Sequence, residues 1–180
     1  MNYYLSLGVQ QSDIKMNPAN LKLFLWALPL FMCIHVFEEF AFPGGFIRWM
    51  ASQNSKRLHK TYYYVAINGI GIFLGAITAL TATNVVGYCL FIWLVTYMAT
   101  NGLSHAIASV QARRYCPGTA TGIFLFVPLL LVSYWVFATQ DLVNWQSLVL
   151  NAISAFVVGY FFITVHQNKR LATGKQVKKE

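Results

Sequence analysis

The sequence predicts an all-α fold, a polytopic membrane helix bundle of about five transmembrane helices with the amino terminus outside and the carboxyl terminus in the cytoplasm. Composition is the first reason: 57% of the 180 residues are apolar and 10% are charged, whereas a soluble domain is about 45–50% apolar and about 25% charged. The second reason is that the charge is concentrated in short segments between long apolar stretches. Such a chain has too few polar residues to cover a surface exposed to water.

Five apolar stretches are long enough to cross a bilayer, which takes about 20 mainly apolar residues in a helix. We predict a lead-in segment at residues 1–20, a five-helix transmembrane domain at 21–168 and a basic cytoplasmic tail at 169–180. Gly71 and Gly75, four residues apart in the second stretch, predict a closely packed helix face. The five stretches are residues 21–42, 62–80, 85–109, 119–138 and 147–166.

The positions of lysine and arginine predict the orientation. With the amino terminus outside, the cytoplasmic segments hold four basic residues in the first loop, two in the third loop and five in the tail. Only Lys15 and Lys22 then lie outside, and cytoplasmic enrichment of Lys and Arg is the rule in membrane proteins. The net charge of +8 is thereby explained by topology and by attraction to anionic headgroups. We predict membrane lipids as partners and no nucleic-acid partner.

Two of the five acidic residues, Glu38 and Glu39, are adjacent inside the first apolar stretch. A charged side chain at the centre of a membrane helix costs roughly 2.5–3.5 kcal/mol, and neighbouring carboxylates repel each other. His35, Glu38 and Glu39 are spaced i, i+3, i+4 and so share a helical face, just before the helix-ending Pro-Gly-Gly at 43–45. Groups from other helices are therefore expected to compensate the two carboxylates.

Polar residues on two other stretches lie at the same depth. Asn68 comes about six residues after the second stretch begins, and Tyr97, Asn101 and His105 form an i, i+4, i+8 stripe on the third. With the predicted orientation, the ionisable and amide residues lie in the cytoplasmic third of the bilayer. We predict one functional site, with Tyr97 and Tyr115 lining the substrate. The predicted catalytic residues are His35, Glu38, Glu39, Asn68, Asn101 and His105.

Several short motifs occur in a distinctive order: HVFEE, FPGGF, AIN, NGLSH and YCPGTATG. Together they resemble the HXXEE-domain membrane proteins, a family of small bacterial and archaeal proteins, over about residues 28–128. The resemblance implies a prokaryotic cytoplasmic membrane and a polar centre with enzyme character, although the family has no established activity. It also implies that the signature and later polar positions of the family correspond to His35, Glu38, Glu39, Asn68, Asn101 and His105, with Tyr115, Pro117 and Gly118 in the third loop.

A metal-dependent enzyme is one hypothesis for this site. Imidazoles and carboxylates from two helices can hold one divalent metal, and His followed by Glu three or four residues later chelates from one helical face. Zinc or iron would polarise a carbonyl or activate a water molecule. A His-rich di-iron centre is not expected, because His59 and His166, the other two histidines, are predicted as interfacial side chains. The predicted ligands are His35, Glu38, Glu39 and His105.

A metal-free enzyme is the second form of the hypothesis. One Glu would be a neutral acid and its neighbour a base, His35 or His105 would relay the proton, and Asn68 and Asn101 would hold a substrate oxygen. Either form suits isomerisation, cyclisation or hydrolysis of an isoprenoid or acyl lipid that enters from the inner leaflet. The sequence leaves the choice between the two forms open.

Two functions of other classes also remain open. Buried Glu and His build proton relays and ion paths, so a proton, ion or small-solute transporter is an alternative. The outer halves of two helices, GAITAL and VVGYCLFIWL, are almost entirely apolar, which argues against a polar path across the membrane. A structural membrane subunit would leave the buried carboxylates without a purpose. The substrate, the reaction and the oligomeric state do not follow from the sequence.

Overall fold

Every regular element in the part of the chain that the structure describes is helical, which confirms the predicted fold class. This computed structural model describes residues 15–41, 45–53 and 61–176, with side chains described through Phe161 except those of Gln53, Thr61 and Tyr63. In chain order the elements are α1 (Pro18–Leu25), α2 (Ala27–Ala41), α3 (Gly45–Gln53), α4 (Thr61–Thr81), α5 (Val85–Ala112), α6 (Thr119–Thr121), a π-helical turn (Gly122–Phe126), α7 (Val127–Thr139) and α8 (Trp145–Gln176).

Four helical segments within the described residues are long and apolar enough to cross a membrane, and they coincide with the first four predicted stretches. They are Pro18–Ala41, Tyr64–Thr81, Val85–Ala112 and Thr119–Thr139. The fifth predicted stretch lies in α8, of which Trp145–Phe161 is counted as a shorter apolar helix. The backbone of α8 continues to Gln176, into the segment predicted as the tail. The chain is therefore a membrane-type helical bundle.

The orientation stays a prediction, because part of its basis lies outside the described residues. The residues outside the description include three basic residues of the first loop, Lys56, Arg57 and Lys60. They also include His59 and most of the lead-in segment. His166 belongs to α8, but its side chain is not described either.

Helix α5 lies at the centre of the bundle, and it contacts α4, the π-helical turn, α7 and α8. Half of its membrane-spanning window is buried, against 17–39% for the other three spans. The other helices expose large apolar side chains on their outer faces, such as Phe73 (65% exposed) and Leu131 (66%). In water, so much exposed apolar surface would be unfavourable, whereas lipid tails solvate it. The buried core is formed mainly by Leu28, Phe91, Ile92, Val95, Phe126 and Phe137.

Two close helix contacts made by glycine bring the polar residues together. A Cβ added to Gly102 of α5 would lie 2.3 Å from the Cα of Gly122, at the start of the π-helical turn, so only glycine permits this approach. Added at Gly75 of α4, a Cβ would lie 3.6 Å from the Cα of Pro29, and at Gly71 it would meet Met32 of α2. The predicted packing face at Gly71 and Gly75 is thereby confirmed.

Candidate functional site

Three buried side chains from two helices converge at one end of the bundle. His35 and Glu39 lie in the last two turns of α2, and His105 lies in the C-terminal part of α5; their exposed fractions are 0%, 5% and 4%. Glu39 Oε1 is 3.5 Å from His35 Nε2 and 3.2 Å from His105 Nε2. One ligand atom from each residue lies within 4.8 Å of the other two. We call these three residues the His–Glu–His cluster.

The hydrogen bonds around His35 determine which of its ring nitrogens carries the proton. Its Nδ1 lies 2.6 Å from Thr121 Oγ1, and that hydroxyl donates its only proton to Glu38 Oε2 at 2.5 Å. The ring must therefore donate from Nδ1 to Thr121. In a neutral imidazole, the Nε2 lone pair then lies beside the Glu39 carboxylate. The Asn101 side-chain amide lies 3.3 Å from this Nε2 and can donate to its lone pair, and a proton or a metal ion between Nε2 and the Glu39 carboxylate would relieve the contact of the two acceptors.

Cys116 contacts the His105 ring on the side that points away from Glu39. His105 Nδ1 lies 3.3 Å from Cys116 Sγ, so its Nε2 is the nitrogen that faces Glu39. The ring also packs against Phe46 of α3, with ring centroids 4.8 Å apart, and Phe46 stacks on Trp49 at 6.2 Å. Helix α3 thus covers the His105 side of the cluster with aromatic rings.

The predicted amide residues both contact the cluster. Asn68 of α4 donates from Nδ2 to Glu39 Oε2 at 3.0 Å, which leaves Oε1 directed at the two imidazoles. Asn101, one turn before His105, places Nδ2 3.3 Å from His35 Nε2. The structure therefore brings five of the six predicted catalytic residues into one connected group, and the sixth, Glu38, lies next to it.

Glu38 points to a different neighbour from Glu39. Its Oε1 accepts from the backbone N–H groups of Gly118 at 2.8 Å and Ala120 at 3.2 Å, and from the Tyr115 hydroxyl. Its Oε2 accepts from the Thr121 N–H at 2.8 Å and from the Thr121 hydroxyl. These five donors lie at the N-terminus of the span Thr119–Thr139, where free N–H groups attract a carboxylate. We call Glu38 and these donors the Glu38 cap.

The prediction that Glu38 is one of the metal ligands does not match this geometry. Both of its oxygens are occupied by the Glu38 cap, and the group of potential ligands that converge contains His35, Glu39 and His105 without it. Sequence spacing could not separate the two carboxylates, because i, i+3 and i+4 positions share one broad helical face.

The two tyrosines predicted to line a substrate have other surroundings. Tyr115 is 42% exposed and donates to Glu38; partial burial and this hydrogen bond raise the pKa of the Tyr115 phenol to about 12. Tyr97 lies about 12 Å along the helix axis from His105, at 1.5 Å per residue. Its ring stacks on Trp93, with centroids 5.7 Å apart, and packs against the hydrophobic core.

Sequence reasoning named Gly118 only through the family resemblance, without a role in the site, and it missed Thr121 and Cys116. Gly118 has φ +96°, and a Cβ there would lie 2.9 Å from His35 Cε1 and 3.1 Å from His105 Nδ1. Both the conformation and the space therefore require glycine. The motif YCPGTATG contained a signal for it, since glycine after proline predicts a tight turn. No local signal indicated that Thr121 and Cys116 would contact the imidazoles.

Two of the three separations between ligand atoms in the His–Glu–His cluster match a zinc-type donor set, and the third is no more than 4.8 Å. Ligands about 2.0–2.1 Å from zinc in tetrahedral arrangement lie about 3.3–3.4 Å from one another. The two Glu39–His separations of 3.5 and 3.2 Å agree with this value. Two His and one carboxylate also form the donor set of many mononuclear non-haem iron sites.

Comparison with known proteins gives one match. A family model described as a protein of unknown function with an HXXEE motif matches residues 26–136, more than half of the chain. No curated protein and no solved structure matches the chain.

Proposed function

From the premise that this chain belongs to the HXXEE-motif family of proteins of unknown function, we propose that it is an intramembrane enzyme that acts on a lipid-like substrate. In this proposal, one divalent metal, zinc or iron, is held by the His–Glu–His cluster. The carrying observation is the convergence of two Nε2 atoms on Glu39 Oε1 at 3.5 and 3.2 Å. Three protein ligands leave a coordination position for water or substrate, as in catalytic zinc sites.

A bound metal would polarise a carbonyl or phosphoryl oxygen and lower the pKa of a bound water to about 7. The residues of this chain prepare the ligands. Thr121 and Cys116 hold the Nδ1 sides of the two imidazoles, and Asn68 holds the second Glu39 oxygen. Such outer contacts orient ligands and are worth about 10–100-fold in metal affinity or activity. Asn101, beside His35 Nε2, can donate to a group bound at the open position.

A metal-free enzyme is the second candidate, and one observation favours it. Both imidazoles contact the same Glu39 oxygen, so a proton can occupy the place that a metal would take. Glu39 would then act as the base and a protonated imidazole as the acid. Isomerisation, cyclisation and hydrolysis all fit such a centre.

Transport is supported less well than either enzyme form. Away from the cluster, several threonine hydroxyl groups inside the bundle donate to their own helices, as Thr78 does to Gly75, Thr96 to Ile92 and Thr100 to Thr96. Among the described residues, α5 presents buried apolar side chains such as Val95 and Met98 between these positions. A proton or ion path would need polar side chains available to the permeant along its length.

The substrate class and the location follow from the surroundings. The site is buried at one end of apolar spans, where lipids are the molecules at high concentration. The distribution of basic residues supports assigning this end to the cytoplasmic leaflet, and we propose the cytoplasmic membrane of a prokaryote as the location.

Metal content tests the metal-dependent form directly. The protein is purified in detergent without a histidine tag, and zinc and iron are measured by mass spectrometry. We expect close to one metal per wild-type chain and a large loss in Glu39→Gln and His105→Ala, with His166→Ala as the histidine control. A folded wild-type protein without metal after growth in zinc and iron would overturn this form and leave the metal-free enzyme.

Lipid analysis tests the enzyme proposal as a whole. Cells that produce the wild-type protein are compared with cells that produce Glu39→Gln at equal membrane abundance. We expect one lipid class to accumulate in the variant and a related product to be depleted. Identical lipid profiles, together with proton or ion flux in liposomes that Glu39→Gln abolishes, would replace the enzyme proposal by transport.

A further inference from the structure

A groove lies between α2 and α4, directly beside the His–Glu–His cluster. Its volume is about 470 Å³, within the range of about 300–1,000 Å³ typical of small-molecule sites. The last turns of α2 form one wall and the first half of α4 forms the other. The residues on which the argument depends are Val36, Phe37, Phe40, Val65, Asn68 and Gly69.

The groove opens on the lipid-facing side of the bundle. Phe37 and Val65 lie on its two walls and are 72% and 54% exposed, and both belong to segments long enough to span the membrane. A Cβ added to Gly69 would meet nothing within 4 Å, so the α4 wall leaves open space at this position. Hydrocarbon can therefore enter the groove from the bilayer without any helix moving.

Among the described residues that line the groove, Asn68 has the single polar side chain. Its amide donates to Glu39 Oε2 at 3.0 Å, and the other oxygen of that carboxylate faces His35 and His105. The apolar groove is thus separated from the ligand atoms of the cluster by one amide and one carboxylate. An amphiphile with its chain in the groove would place its polar group at Asn68.

We infer that this groove binds one hydrocarbon chain of a membrane lipid and presents the adjoining polar group of that lipid to the His–Glu–His cluster. The inference rests on the proposed function for its substrate role, but lipid binding in the groove is a separate property. A water-soluble substrate fits less well, because it would have to leave water for an apolar groove that opens to hydrocarbon. The occupant is accordingly an acyl or isoprenoid chain that arrives from the leaflet containing the cluster.

Gly69→Leu is the variant that tests the groove. The new side chain would fill the groove, and it would meet no atom of the protein at its Cβ. Leucine also has a higher helix propensity than glycine, so α4 is expected to remain folded. Ala66→Leu is the matched control, since Ala66 is exposed on the same helix and is not among the residues that line the groove.

The probe is a phospholipid with a photoreactive diazirine in one acyl chain, reconstituted with the protein in nanodiscs. After irradiation, labelled residues are located by mass spectrometry and compared with exposed positions on α8, such as Leu150 and Ile153, as the reference for ordinary lipid contact. We expect labelling in the groove to exceed that reference in the wild type. In Gly69→Leu it should fall about tenfold, which corresponds to about 1.4 kcal/mol, and Ala66→Leu should leave it unchanged.

The same samples separate this inference from the proposed function. Metal content should be equal in the wild type, Gly69→Leu and Ala66→Leu, because Gly69 is not in contact with the ligands. Groove labelling equal to the α8 reference, or equal in wild type and Gly69→Leu, would overturn the groove inference while a bound metal still supported the proposed centre. Strong groove labelling in a protein that lacks metal would support the groove and count against the metal-dependent form.

Discussion

Glu38 and Glu39 are neighbours in sequence, and both are almost fully buried, yet their surroundings are opposite in kind. In the Glu38 cap, five donors occupy both carboxylate oxygens, three of them backbone N–H groups at a helix N-terminus. In the His–Glu–His cluster, Glu39 has one amide donor and two imidazole nitrogens that share a single oxygen. Both oxygens of the first carboxylate are occupied by hydrogen-bond donors, whereas one oxygen of the second faces two imidazoles that can hold a proton or a metal ion.

This difference separates a positioning residue from a reactive one. A carboxylate that accepts from a helix N-terminus stabilises the fold by satisfying donors that would otherwise be buried without partners. A buried carboxylate beside two imidazoles depends on a proton or a metal ion shared with those rings, because burying it without a positive partner is costly. Successive residues of a helix are rotated by about 100°, so Glu38 faces the 115–121 segment while Glu39 faces α5.

The largest expected effect is that Glu38→Gln and Glu39→Gln differ in opposite directions: the first should lower stability and keep the metal, and the second should keep stability and lose the metal. Glu38→Gln replaces one acceptor oxygen by a donor among five donors, and we expect it to lower the free energy of unfolding by about 3 kcal/mol. Glu39→Gln should change the free energy of unfolding of the metal-free protein by less than about 1 kcal/mol, since the cost of burying this carboxylate offsets most of what its imidazole contacts contribute. Unfolding is followed by circular dichroism in detergent with a chelator present.

Metal content completes this comparison. Folded Glu38→Gln should retain metal, and Glu39→Gln should lose it. The opposite result would be a stable Glu38→Gln protein without metal and an unstable Glu39→Gln protein with metal. It would mean that Glu38 binds the metal and Glu39 stabilises the fold.

A smaller effect is expected from Gly118→Ala, which disturbs both regions at once. The residue has φ +96°, and its new Cβ would press on the rings of His35 and His105. We expect a loss of about 2 kcal/mol in unfolding free energy and weaker metal binding, measured by unfolding and by metal titration. Gly69→Ala is the matched glycine control: with nothing within 4 Å, it should stabilise the helix by about 0.5–1 kcal/mol. Equal unfolding free energies and equal metal binding in Gly118→Ala and Gly69→Ala would show that Gly118 does not shape the site.

The smallest effect concerns Thr121, whose hydroxyl connects the two regions. Thr121→Val removes the acceptor for His35 Nδ1 and one donor to Glu38. We expect a loss of about 1 kcal/mol of stability and about tenfold weaker metal binding, whereas Thr121→Ser should restore both. In combination with Glu38→Gln, the loss of stability should be less than additive, because the two residues share a hydrogen bond. Additive losses would mean that the hydrogen bond between Thr121 and Glu38 contributes no coupling free energy.

Much of the fold was predictable because the signals that specify membrane helices are local. A run of apolar residues predicts a span from its length alone, and four spans were identified in this way. The four-residue spacing of Gly71 and Gly75 likewise predicted a packing face. The depth argument also predicted that Asn68, Asn101 and His105 would lie level with His35, and the structure brings them together. Depth along a helix follows from residue number at a constant rise per residue.

The partners within the site were not predictable in the same way. Backbone N–H groups carry no side-chain signature, so the donors of the Glu38 cap at Gly118 and Ala120 were invisible in the sequence. Tyr97 shares a stripe with Asn101 and His105, but a neighbouring ring on α5 holds it in the core. Which face of a helix meets which neighbour depends on packing, and here on the contact between Gly102 and Gly122.

The sequence by itself determined that this chain forms membrane helices and that its ionisable groups lie at one depth, because hydropathy and helical rise are properties of consecutive residues. Only the tertiary structure decided that Glu38 caps a helix while Glu39 faces two imidazoles. That decision depends on the rotation and close approach of helices distant in sequence, which bring a backbone turn to one carboxylate and His105 to the other.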